Sequence, residues 1–154
     1  HLSIRRQRQM CIRDRYSMHL ESVKISADIN QEMDEKRSKF IFNNISKAFS
    51  QQQHQAELIK EHYSSCHHPK IICGDMNNSA FSYVYRTIKG ELKDAFEEAG
   101  TGFGKSYNYK YYPARIDYIF VEQNIEVKQF SSLDYFIQSD HFPQLARLNI
   151  NALE

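Results

Sequence analysis

Apolar residues change their spacing several times along the chain, and each change predicts an element. From Tyr16 to Lys24 apolar and polar positions alternate moderately, the period of a half-buried strand, and this strand would carry His19. From about Asp34 to His62 the spacing lengthens, with Ile41, Ile45, Ala48, Phe49, Gln52, Ala56 and Ile59 at three- and four-residue steps. That stripe predicts one long amphipathic helix or two shorter ones. Pro69 blocks continuation, and Lys70 to Cys73 reads as a short parallel-type strand buried on both faces, with Gly74 opening the loop at its C-terminal end. Such a loop is where α/β sheets place ligand sites.

Beyond that loop, Ser82 is a candidate N-cap for a short helix starting at Tyr83, and Leu92 to Ala99 predicts another, ended by Gly100. Gly102, Gly104, Asn108 and Pro113 mark an irregular, Tyr-rich segment from Thr101 to Pro113. Arg115–Val121 and Ile125–Phe130 read as neighbouring strands, and Gln144–Ile150 as a last one. Strands and helices in this order predict an α/β domain.

Three short phrases bound these runs: Gly74-Asp75-Met76-Asn77, Arg115-Ile116-Asp117-Tyr118-Ile119 and Ser139-Asp140-His141. Together they supply carboxylates, an amide and an imidazole. Asp is an oxygen ligand for Mg²⁺ or Mn²⁺, a carboxylate beside an imidazole sets its tautomer, and an Asn amide can hold a phosphate oxygen or a water. Asp117 sits between apolar neighbours on a strand, where a charge is costly unless paired, and His141 is the partner to expect. Gly-Asp-x-Asn alone is common in turns; its conjunction with the other two phrases is specific.

That wording resembles the endonuclease/exonuclease/phosphatase superfamily, and the resemblance extends upstream to Tyr16-Ser17-Met18-His19-Leu20 and covers about Tyr16 to Ile150. It implies part of a two-sheet α/β sandwich with mixed sheets and flanking helices, deoxyribonuclease-like, with its site at one edge. It also implies hydrolysis of a phosphodiester or phosphomonoester by in-line attack of water, with Mg (or Mn) as cofactor. By the same resemblance Asp75 positions or deprotonates the attacking water, and Asn77 holds the scissile phosphate or that water. Asp117 orients His141, His141 stabilises the transition state or also shuttles a proton, Asp140 faces the metal directly or through water, and His19 is a second phosphate-facing imidazole or a general acid. Ser106-Tyr107-Asn108 matches the family's Ser/Thr-aromatic turn near the site entrance. Ser17 stands where the family often has Asn. The family's opening strand and its metal-ligand Glu have no counterpart, so residues 16–151 read as the C-terminal portion of such a domain, the N-terminal half missing and the fragment by itself inactive. Substrates across the family include nucleic acid, phospholipid headgroups and inositol phosphates, and the motifs do not choose among them. A monomer is expected at full length. The alternative is a catalytically silent binding module that keeps the same fold.

The first fifteen residues change the picture of charge. Arg5 to Arg15 back-translates to a string similar to a widely used transposase-based sequencing adapter, so residues 1–15 are read as a non-native translation and set apart. They hold five Arg and one Asp of the 20 Lys+Arg and 19 Asp+Glu in the chain, which leaves a net charge of −3 in place of +1. Global charge therefore lends no support to tight duplex binding. Cys66 and Cys73 remain, and the cluster Cys66-His67-His68 lacks the paired spacing of structural zinc sites. Cys73, within an apolar run, reads as a small core residue.

Overall fold

The computed structural model describes residues 3–9, 13–22, 35–136 and 138–150. Its frame is a mixed five-stranded sheet. Strand β1 (Ser3–Gln9) pairs antiparallel with β2 (Arg13–His19), which runs parallel to β3 (Lys70–Asp75). On the far side of β3 lies β5 (Asp117–Val121), antiparallel, and then the two-residue β4 (Lys93–Asp94). A separate antiparallel pair joins β6 (Ile125–Ser132) to β7 (Gln144–Ile150). Helices α1 (Glu35–Ser64), α2 (Tyr83–Lys89) and α3 (Ala95–Ala99) complete the described elements. Among the described residues no helix is long and apolar enough to cross a membrane.

The core follows from strand alternation. Tyr16, Met18 and Leu20 of the β2 run, Ile72 of β3, and Tyr118 and Phe120 of β5 share one face of the sheet. Against them pack Ala56, Ile59 and Tyr63 of α1 with Val84, Tyr85 and Ile88 of α2. Each such aliphatic side chain contributes roughly 1.5–3 kcal/mol when fully buried. Gly74 is required by close approach: a Cβ there would lie 1.9 Å from the Met18 carbonyl oxygen. Its φ of 150° is also one that side chains rarely adopt.

Several expectations are corrected. The predicted Tyr16–Lys24 strand begins earlier, at Arg13, and ends at His19; Val23 and Lys24 lie outside the described residues, as does Asp34. The helix is one continuous element of 30 residues, but its buried stripe is Ala48, Gln52, Ala56, Ile59 and Tyr63. Phe49, placed on that stripe by spacing, is 48% exposed because it stands one residue, about 100° of helix, away from Ala48. Only Ile72 of β3 is fully buried, since helices cover one sheet face while Ile71, Cys73 and Ile119 on the other are half-buried.

The predicted Leu92–Ala99 helix is instead β4 followed by α3. Asp94 adopts an extended conformation and its carboxylate accepts from the Phe96 N–H, so it caps a helix that starts one residue later. Strands β5 and β6 are not neighbours in one sheet, because a turn in which Ile125 N donates to Glu122 O redirects the chain and β6 pairs with β7. The Ser82 cap is as expected, accepting from Tyr85 N at 3.1 Å.

Candidate active site

Strand register builds the site. His19 is opposite Asp75 across the parallel β2–β3 ladder, and Asp75 is opposite Asp117 across the antiparallel β3–β5 ladder. Three candidate side chains thus form one row at the end of the sheet. His141 approaches the same row from the loop before β7. Its Nδ1 lies 2.9 Å from Asp117 Oδ2, the expected pairing, and its Nε2 is 3.9 Å from Asp75 Oδ2. His19 Nε2 reaches the same Asp75 oxygen at 3.3 Å. Two imidazoles therefore flank one carboxylate.

Two acids directly opposite each other on neighbouring strands repel. Asp75 responds: its carboxyl is raised above the ordinary carboxylate range, chiefly by burial. The Asn77 N–H, which donates to Asp75 Oδ1 at 2.7 Å, pulls it back, as do His141 and His19, while Asp117 pushes it further up. His19 is the most open member of the group, its side chain 64% exposed.

The loop after β3 is fixed from beneath. Asn77 adopts φ 48°, which Asn tolerates, and its side-chain amide donates to Leu20 O at 3.1 Å, tying the loop to the end of β2. Met76, fully buried, donates its N–H to Ile116 O at 2.9 Å. Gln52 of α1 is fully buried too: its Nε2 donates to Glu21 O at 2.6 Å and its Oε1 accepts from Asn78 Nδ2 at 2.9 Å. Gln55 accepts from Glu21 N at 3.0 Å. Residue patterning had read Gln52 only as part of the apolar face. A glutamine on the buried stripe of an amphipathic helix was the available signal that polar loops lie above it.

Not every candidate joins the row. Asp140 is exposed; its backbone carbonyl accepts from Asn108 N at 2.8 Å, and its side chain lies outside the group of Asp75, Asp117 and His141 whose ligand atoms fall within 4.8 Å of one another. Arg115 faces away from the row. Its guanidinium pairs with the fully buried Asp94 at 2.6 Å and lies over the Phe96 and Tyr118 rings. Cys66 and Cys73 are free thiols, and with His67 and His68 they form no metal-ligating group among the described residues. Burial pushes the Cys73 thiol up.

The profile of the Endonuclease/Exonuclease/phosphatase family matches residues 16–141, most of the chain. The chain belongs to this family. Among curated proteins none matches. Solved structures do. A family member from Bacteroides vulgatus is 27% identical over 66% of this chain and 45% of its own, with a TM-score of 0.54. The mannosyl-6-phosphatase of Bacteroides thetaiotaomicron aligns over 89% of this chain and 51% of its own at 21% identity and TM-score 0.58. The catalytic domain of human nocturnin aligns over 90% and 47% at 15% identity and TM-score 0.56. The last two show the shared fold, an α/β architecture of the deoxyribonuclease type. The chain spans about half the length of these relatives.

Proposed function

We propose that the family member of which this chain is a part hydrolyses a phosphoester by in-line attack of water, at the row His19, Asp75, Asp117 and His141. The observation that carries this reading is the Asp117–His141 hydrogen bond at 2.9 Å, set beside a buried carboxylate that a second imidazole also approaches. Asp117 holds the imidazole so that its Nδ1 is committed to the carboxylate and Nε2 faces the reacting groups. Asp75, with a raised proton affinity and two ring nitrogens close by, is placed to accept the proton of the attacking water. His19 and His141 offer positive charge to phosphate oxygens in the transition state, and Asn77 fixes the loop that carries Asp75.

The donor set fits a divalent cation of the Mg or Mn class, since two carboxylates and an imidazole offer ligand atoms within 4.8 Å. Asp117 Oδ2 and His141 Nδ1 are engaged with each other, so Asp75, the second Asp117 oxygen and His141 Nε2 are the donors that would hold a cation, with Asp140 on the adjoining loop outside that group. When bound, such an ion polarises the phosphoryl oxygen and neutralises developing charge. The substrate class remains nucleic acid, a phospholipid headgroup or an inositol phosphate, and the 154-residue chain by itself is proposed to turn over weakly.

The test is an assay of a chain of the relatives' length on nicked plasmid, sphingomyelin and bis-p-nitrophenyl phosphate with Mg²⁺ or Mn²⁺. Asp75→Ala and His141→Ala are each expected to lower turnover by about 10³-fold with little change in substrate affinity. Variants that keep full turnover would remove the assignment, and substrate binding without any metal-stimulated turnover would identify a silent binding module.

A further inference from the structure

The Asp117–His141 pair joins a strand end to a loop, so something must hold two separately anchored backbones at one spacing. Ser106 touches both anchors. It is fully buried and lies outside the Asp117 and His141 phrases, in the Ser106-Tyr107-Asn108 turn of the irregular segment between α3 and β5. Its Oγ accepts from Ile116 N at 2.9 Å and from Asp117 N at 3.0 Å, the two amides that begin β5. Its carbonyl accepts from Phe142 N at 2.8 Å, the residue directly after His141. Its own N–H donates to Ala114 O at 2.9 Å. The neighbouring Tyr107 continues the contact, bridging Ala114 and His141 and placing its ring 4.9 Å from the imidazole.

We infer that Ser106 is the positioning residue of the Asp117–His141 dyad. The role rests on the functional reading of that dyad given above, but its geometry does not. Removing Oγ would leave two half-buried backbone N–H groups without that acceptor, a loss that costs stability wherever water does not replace it. Rotating the start of β5 toward solvent relieves that loss, and Asp117 would turn with it. A hydrogen bond of 2.9 Å breaks over a shift of well under 1 Å, so the ring would lose its partner while the fold remained.

The test reads the ring directly. In the ¹⁵N-histidine-labelled chain, long-range ¹H–¹⁵N spectra report whether neutral His141 carries its proton on Nδ1, as the Asp117 bond demands, or on Nε2. Ser106→Ala is expected to shift the His141 signals from the Nδ1–H toward the Nε2–H pattern, and Ser106→Cys, whose sulfur accepts weakly, to shift them partway. Ile88→Val, which trims the core under α2 without touching either anchor, is expected to lower stability and leave the pattern unchanged. The inference is overturned if Ser106→Ala keeps the wild-type pattern, or if Ile88→Val loses it as well. Should Ser106→Ala fail to fold, an unshifted Ser106→Cys overturns it equally. No substrate is present, so failure of the hydrolase reading would show as lost turnover in the assay above and would leave this result standing.

Discussion

At the scale of single residues, the row His19, Asp75 and Asp117 shows how register concentrates chemistry at a cost. Asp75 is held in a half-buried position against a second acid, and its carboxyl is raised chiefly by burial. A raised carboxyl favours the protonated form in the folded state, so its contribution to stability is complete below the unfolded value, near pH 4, and is lost as pH rises through the raised one. At about pH 7 the carboxyl group therefore opposes folding. Asp75→Asn, which keeps an oxygen for the Asn77 N–H, is expected to raise the melting temperature at about pH 7, with the gain shrinking toward pH 4. Thermal melts of both proteins across that range decide it. An Asn variant less stable at neutral pH would mean that the attraction of His19 and His141 outweighs desolvation.

Elements carry the site because their ends coincide. Parallel β2–β3 and antiparallel β3–β5 bring the proposed site residues to one edge, and the buried Asp94–Arg115 pair fixes the approach to β5. Asp94 caps α3, accepts from the Tyr85 hydroxyl and pairs with Arg115, so one buried carboxylate ties α2, α3 and the approach to β5. Losing one member leaves an uncompensated charge. Arg115→Met is expected to cost about 3–5 kcal/mol in urea unfolding, and Asp94→Asn added to it substantially less than its cost alone. Strictly additive losses would show that the pair is not coupled. This role was not legible in the sequence, where Asp94 looked like the interior of a helix. Its part as a cap depends on a two-residue strand that only pairing with β5 creates. The motifs themselves were legible because their spacing follows strand ends. The turn that holds Ser106 was legible too, but the roles of Gln52 and Ser106 were not, since a buried polar side chain declares itself only by partners distant in sequence, and Phe49 was misplaced because adjacent apolar positions leave a helical stripe ambiguous by one residue.

For the whole molecule, the balance of covered and open surface matters most. Helices α1 and α2 seal one face of the five-stranded sheet, whereas Ile71, Cys73 and Ile119 on the other remain half-buried. Phe81 and Phe103 add large apolar side chains that are 90% and 78% exposed. Strand β1 falls within residues 1–15 and pairs along its length with β2, so the proposed foreign origin of that segment is a question for the gene; sequencing the source locus across Arg15 answers it. On the proposal that the chain is part of a longer family member, the open sheet face is where further structure would pack. Apolar side chains left partly in water on a sheet face favour self-association. The chain as given is therefore expected to associate increasingly with concentration in sedimentation velocity and to hydrolyse bis-p-nitrophenyl phosphate at least about 10²-fold more slowly than a chain of the relatives' length, since it would also lack metal ligands from the remainder. Ile119→Lys, on the open face and outside the row, should suppress association without restoring turnover. A monomeric chain with full metal-dependent activity would show that these residues already form a complete site.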